Sequence, residues 1–283
     1  MSVHAVPPLA SPPIPVWHDE IVGLPGRPEA TVRVYGACGA DCGDAPLVIH
    51  FHAGEFVRGT LADGAAIAGL IAATGAVVAS VDYPLAPGQP FPHAAEVGHA
   101  VLAWAERQRR RLGARNRRLY VAGEEAGGNI AAAVSMMARD RGGPELAGAI
   151  LLSPMLDVCV ATASQRDARN GPVGCPCADG WRAYLSRADD AIHPYATPSN
   201  SVRLAGLPRT LLVTSVDDPQ RDETRAFAKK LRAAGVPAEV EVLATPTGWP
   251  RSYLTPQSDA PWSEPLRARV SSFLQTDPPG SAS

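Results

Sequence analysis

A chain of 283 residues with 46% apolar and 19% charged residues carries enough apolar mass for one large α/β domain, and this composition excludes an intrinsically disordered chain. A formal net charge of −2 leaves neither sign in command, so nucleic acid and anionic membrane are excluded as expected partners. No run approaches the roughly 20 apolar residues of a membrane span, residues 1–16 lack a basic segment followed by an apolar one, and five cysteines, an odd number, argue against a secreted disulfide frame; a cytoplasmic protein is expected. In chain order, the patterning predicts a strand at 31–35, a buried strand at 46–52, a helix at 62–74, a strand at 76–81, a Pro-rich loop at 82–92 and a helix at 93–112. A short strand at 119–122 then feeds a glycine-rich turn and a helix at 126–139. Strands at 147–152, 210–215 and 238–243 follow, with helices at 222–234, closed by Gly235, and at 261–275. Between 158 and 194 the periodicity fails apart from a helical piece at 181–186, and this stretch is read as a short cap inserted in a single domain of residues 1–283 whose last residues, 276–283, form a disordered tail. The alternation of elements predicts a mostly parallel central sheet with helices on both faces and a reduced cap.

The basic cluster within 107–118 closes the 93–112 helix and reads as its solvated C-terminal turn. Cys38 with Cys42 and Cys175 with Cys177 lie in Gly/Pro-rich loops at spacings unlike those of zinc ligands and with no histidine beside them, so neither a metal nor a cofactor is expected.

The most informative stretch is Gly123-Glu124-Glu125-Ala126-Gly127-Gly128-Asn129. It has the form of a nucleophile elbow, G-x-S-x-G, in which flanking glycines let neighbouring backbone pass a strained strand-to-helix turn. Glu125 stands where the hydroxyl belongs.

Four stretches, in order, resemble the hormone-sensitive-lipase-like branch of the α/β-hydrolase fold, the bacterial carboxylesterases. They are His52-Ala53-Gly54-Glu55-Phe56, similar to its H-G-G-G-F oxyanion loop; Asp82-Tyr83-Pro84-Leu85-Ala86-Pro87 with Pro90-Phe91-Pro92; the elbow; and Leu207-Pro208 through Asp218-Pro219-Gln220-Arg221-Asp222-Glu223. The resemblance implies an α/β-hydrolase fold and a serine, an acid and a histidine in that chain order. Asp218 takes the acid's place, Glu125 the serine's and Thr247 the histidine's; none of the seven histidines follows Asp218. Ala53 and Glu55 replace two of the loop's glycines, Glu124 replaces the elbow's usual aspartate, and Glu55 is expected to face the same hollow as Glu125. A carboxylate buried beside another is expected to titrate high, which suits acid–base work. The plainer reading is that Glu125 plugs a dead pocket in a salt bridge such as one to Arg58.

The remaining site residues are read alongside. Asp218 is expected to accept loop N–H groups or to partner Thr247; His52 to steady the oxyanion loop; Tyr83, Phe56, Trp249 and Tyr253 to be pocket-wall or core aromatics; and Ala126 and Gly54 to line the former oxyanion site. Ser153 and Ser215 read as strand-end hydrogen bonders. His93 reads as a helix-start residue and His193 as a neighbour of the cap. A short cap and a surplus of carboxylates imply an open, acidic site for a small-molecule or peptide-like ligand of polar or cationic character, and a homodimer is left open. The function expected is a non-hydrolytic enzyme of isomerase, epimerase, cyclase or lyase type, with Glu125 and Glu55 moving protons on a natural-product intermediate. The alternatives are a non-catalytic pseudoenzyme binding a ligand or partner protein, and a hydrolase with Glu125 as nucleophile or base.

Overall fold

The computed structural model describes residues 16–36, 44–167, 176–253 and 260–276. In chain order its elements are β1 (Trp17–Val22), β2 (Ala30–Tyr35), β3 (Leu47–Phe51), α1 (Ala65–Ala72), β4 (Val77–Val81), α2 (His93–Gln108), β5 (Leu119–Glu124) and α3 (Ala126–Asp140). They continue as β6 (Gly148–Leu152), α4 (Ala163–Arg166), α5 (Pro176–Tyr184), β7 (Thr210–Ser215), α6 (Arg221–Ala233), β8 (Ala238–Leu243) and α7 (Ser263–Gln275). The strands form one sheet in the order β1-β2-β4-β3-β5-β6-β7-β8, parallel from β4 to β8 and antiparallel where β2 meets β4 and β1. This is the mostly parallel sheet that the alternation of elements predicts.

Strands β3 to β7 are buried along their whole length, because helices lie over both faces. Alternation along each strand then divides the core in two. Leu47, Ile49 and Phe51 of β3 pack with Val101, Ile130 and Phe227 from α2, α3 and α6, whereas Val48 packs with Ile71 and Val270 from α1 and α7. The order reverses between β3 and β5, which run side by side with Phe51 opposite Gly123. Such a reversal opens a crevice at the carboxyl ends of the strands, and here it brings the loop after β3 against the turn after β5.

Three elements differ from the sequence reading, one of them α4, a single turn inside the stretch whose periodicity fails. β1 has no predicted counterpart, since five of its six residues are not buried and its polar Trp-His-Asp-Glu start shows no core face. Cross-strand pairing holds it: Arg33 on β2 grips Asp19 through two bonds of 2.7 and 2.8 Å and lies 3.8 Å over the Trp17 ring. The helical piece expected at 181–186 is instead α5, which begins at Pro176. Cys38, Cys42 and Cys175 and the tail from 277 lie outside the described residues; Cys177 is buried in α5, where Gln220 Nε2 donates to its sulfur at 3.2 Å. Among the described residues no helix is long and apolar enough to cross a membrane.

Candidate active site

β5 passes into α3 through Glu125, whose backbone sits at φ 54°, ψ −113°, a conformation that side chains disfavour. Main-chain bonds hold it there. Glu125 N donates to Leu152 O at 2.9 Å, and Glu125 O accepts from Met155 N at 3.0 Å and Asn129 N at 3.2 Å. The flanking glycines are required by close approach, because a Cβ at Gly127 would overlap the Phe51 carbonyl and one at Gly123 would overlap that of Gly127.

This turn aims the Glu125 side chain at the loop after β3. One of its oxygens, Oε2, accepts from Gly54 N at 2.6 Å and Glu55 N at 2.9 Å. Oε1 is buried and has no hydrogen-bond partner among the described residues. The two amides that the resemblance assigns to an oxyanion thus hold a carboxylate oxygen of the protein itself. Burial foremost, then the charge of Glu55, push the Glu125 carboxyl up to about 7, while the amides of Glu55, Gly54 and Ala126 pull it back.

The amide loop keeps the one glycine it cannot exchange: Gly54 has φ 137°, and a Cβ there would overlap the Arg58 carbonyl. Glu55 and Phe56 carry side chains through positive φ, at 48° and 67°. The Glu55 carboxylate, whose charge acts on Glu125, has a partner of its own. It turns to Arg58, at 2.5 and 2.6 Å, so the salt bridge foreseen for Glu125 belongs to Glu55. Nor is the site open. Glu125 is 1% and Glu55 5% exposed, because α5 lies on the loop: a Cβ at Gly180 would overlap the Glu55 carbonyl, and Tyr184 stacks on Phe56 at 4.0 Å. A glycine in mid-helix is the sequence signal of this contact.

Behind the loop runs a buried polar chain that the sequence reading missed. Ser80 Oγ and His50 Nδ1 lie 2.9 Å apart, His50 Nε2 and Glu124 Oε2 2.8 Å apart, and Glu124 Oε1 accepts from Ala53 N at 3.3 Å. Alternating strand residues with two polar members on one face, Ser80 and His50, were the available signal. His52 steadies the loop as expected, with Nδ1 2.7 Å from Ala53 O and its ring stacked 4.3 Å from that of Tyr83, whose hydroxyl donates to His52 O at 2.7 Å. Burial lowers the His52 pKa.

Asp218 accepts from the Ser153 hydroxyl at 2.7 Å, the Gln220 amide at 2.8 Å and the Thr214 hydroxyl, and burial raises it to about 6. It does not partner Thr247. That residue is tied to Asp217, which takes its N–H at 2.9 Å and that of Gly248 at 2.9 Å, and its hydroxyl lies 2.8 Å from that of Ser215. Trp249 is buried between Tyr253, stacked at 5.0 Å, and Trp262, at 5.4 Å. His93 opens α2 with Nδ1 2.8 Å from Pro90 O, and His193 accepts from Tyr195 N at 3.1 Å beside Phe91, so the structure places neither at the elbow.

Residues 48–247 match a family described as alpha/beta hydrolase fold. The chain is 34% identical to Esterase LipI of Mycobacterium tuberculosis over 232 residues, 80% of this chain and 72% of that protein. It is 33% identical to Carboxylesterase NlhH of the same organism over 229 residues, 78% of this chain and 71% of the relative. A thermostable esterase from Pseudomonas putida superposes with a TM-score of 0.83 at 28% identity, covering 94% of this chain and 85% of its own. These relatives overturn the expectation that hydrolytic chemistry has been lost to an isomerase-like or non-catalytic role, for each is named as an esterase.

Proposed function

Because the chain belongs to the α/β-hydrolase-fold family, in its hormone-sensitive-lipase-like carboxylesterase branch, we propose that it hydrolyses carboxylic esters with Glu125 acting from the elbow. One observation carries this reading: Glu125 Oε2 rests on the Gly54 and Glu55 amides while Oε1 is left without a partner among the described residues. Amides that hold a carboxylate oxygen are equally placed for the oxygen of an ester carbonyl as it gains charge. Ester binding then exchanges one oxygen for the other. The carbonyl takes the amides, and the Glu125 carboxylate released from them draws a proton from water as the water adds to the acyl carbon. The elbow thus works with a carboxylate where the resemblance implies a hydroxyl, and without an imidazole, since Thr247 stands in that place and is tied to Asp217 and Ser215. A carboxyl pushed up to about 7 is matched as a base to neutral pH.

Release of p-nitrophenol from p-nitrophenyl butyrate tests the proposal. The wild type is expected to turn over with a rate that rises with pH through a midpoint near 7, as Glu125 loses its proton, and Glu125→Gln to be slower by roughly 10²-fold or more. A wild type inactive at pH 8, or a glutamine variant as fast as the wild type, would end the proposal.

A further inference from the structure

β1 closes one edge of the sheet, and its bonds to β2 show which of its groups are left over. Gly36 N donates to Val16 O at 3.3 Å, so Val16 and every second residue after it, His18, Glu20 and Val22, turn their main chain toward β2. The N–H and C=O groups of Trp17, Asp19 and Ile21 therefore point outward, where no strand follows among the described residues. Natural edges are blunted against further pairing by lysine, proline, a bulge or free charge. β1 has no lysine or proline, its register with β2 is unbroken from Trp17 to Val22, and its two carboxylates are already held by Arg33 and Arg111. What it exposes is apolar: Val16 at 83%, Ile21 at 74% and Trp17 at 46%. The strand also reads alike from either end, for about Asp19 as centre Val16 mirrors Val22, Trp17 mirrors Ile21 and His18 mirrors Glu20.

We infer that this edge docks a second copy of the chain, the two β1 strands pairing antiparallel about a twofold axis at Asp19 so that one sheet runs through both subunits. A twofold brings mirror positions together. Each outward amide then meets a carbonyl of the other strand. Trp17 faces the partner's Ile21, and Val16 the partner's Val22. The His18 ring faces the partner's Glu20, a carboxylate it already meets at 3.1 Å within its own strand. Asp19 faces the partner's Asp19, and the Arg33 fork on each, at 2.7 and 2.8 Å, cancels the like charge. Neighbouring registers fare worse. Outward residues must meet outward residues, so the strands slip by two positions at a time. One such slip sets His18 on the partner's His18 and Trp17 on the partner's Asp19. The other sets Glu20 on the partner's Glu20 and Ile21 on the partner's Asp19. The elbow takes no part in this pairing, so the inference stands apart from the hydrolysis proposed above.

Sedimentation velocity of the full chain from about 1 to about 100 µM tests this, with the wild type expected to pass from monomer to dimer as concentration rises. Ile21→Pro removes an outward amide and no bond to β2, and Ile21→Lys sets a charge against the partner's Trp17. Both variants are expected to stay monomeric throughout, with thermal melts at the lowest concentration unchanged from the wild type. Cysteine cross-linking reads the register. Asp19→Cys places two thiols on a hydrogen-bonded pair whose Cα atoms lie about 5.5 Å apart, within disulfide reach, so oxidation is expected to link two copies. Ile21→Cys sets its copies roughly 14 Å apart along the strands, and no link beyond that of the oxidised wild type is expected. A wild type monomeric at every concentration, as when another segment or another protein takes the edge, would overturn the inference. So would a dimer that persists in both Ile21 variants, or cross-linking as strong from position 21 as from position 19.

Discussion

Replacing Glu125 by glutamine is expected to raise the free energy of unfolding by about 3 kcal/mol at pH 8 and to leave it unchanged near pH 4. The carboxyl moves from an ordinary 4.5 when unfolded to about 7 when folded, so the folded chain binds its proton more tightly. Its contribution is therefore fully present below 4.5, declines as pH rises toward 7, and is lost above. Glutamine does not titrate and escapes that loss. Its carbonyl oxygen accepts from the same Gly54 and Glu55 amides, and its NH2 takes the place of the unpartnered Oε1. Asp218, raised to about 6, brings its own decline at lower pH, but it does so in both proteins and cancels from the difference. Urea melts of the two proteins from pH 4 to 8 measure the quantity directly. A difference that stays flat across this range would mean that Glu125 is not held at a raised pKa.

Gly127→Ala is expected to destabilise the protein by more than about 4 kcal/mol, enough to leave little folded chain. Gly127 lies in the first turn of α3, and on helix propensity alone alanine would gain about 1 kcal/mol there. The sign of the result therefore decides between propensity and packing. Packing prevails, because the added Cβ would overlap the carbonyls of Phe51 and His52, both buried backbone that has no room to retreat. Gly23→Ala is the control: nothing lies within 4 Å of a Cβ at that position, and a change within about 0.5 kcal/mol is expected. Chemical denaturation of both variants, with soluble yield as a first readout, checks the contrast. A Gly127→Ala protein as stable as wild type would show that the elbow can rebuild itself around a side chain.

The parts of this molecule legible in the sequence are those where backbone demands leave few residue choices. Gly123, Gly127 and Gly54 sit where a Cβ has no space, and so the elbow and the amide loop can be read from glycine spacing alone. The continuous apolar runs of β3, β4 and β7 are equally plain, because both faces of those strands are covered. What escaped depended on neighbours distant in sequence. β1 is a strand because Arg33 pairs with Asp19 across the ladder, and its own six residues show no core face. The Ser80–His50–Glu124 chain joins residues 30 and 74 positions from its centre, each a plausible core filler when seen singly. The closure of the site was misjudged for the same reason: loop length suggested an open pocket, whereas one glycine, Gly180, lets α5 settle on Glu55. Asp218 accepts a loop N–H, that of Gln220, as expected, but the partner of Thr247 is the residue before it, Asp217, because adjacent carboxylates on one turn look alike until their donors are known.

The bonds that fix the elbow all belong to the main chain: the amide of Glu125 to Leu152, and its carbonyl to Asn129 and Met155. The side chain bonds chiefly outward, to the amides of Gly54 and Glu55. Position 125 is therefore a socket, open to any residue that accepts φ 54°, and a change of one codon there exchanges the side chain presented to the amide loop while the main-chain bonds of the turn stay in place. In the hydrolysis proposed here the chemistry is carried by an interchangeable part, and the constraint on descent falls on the glycines beside it.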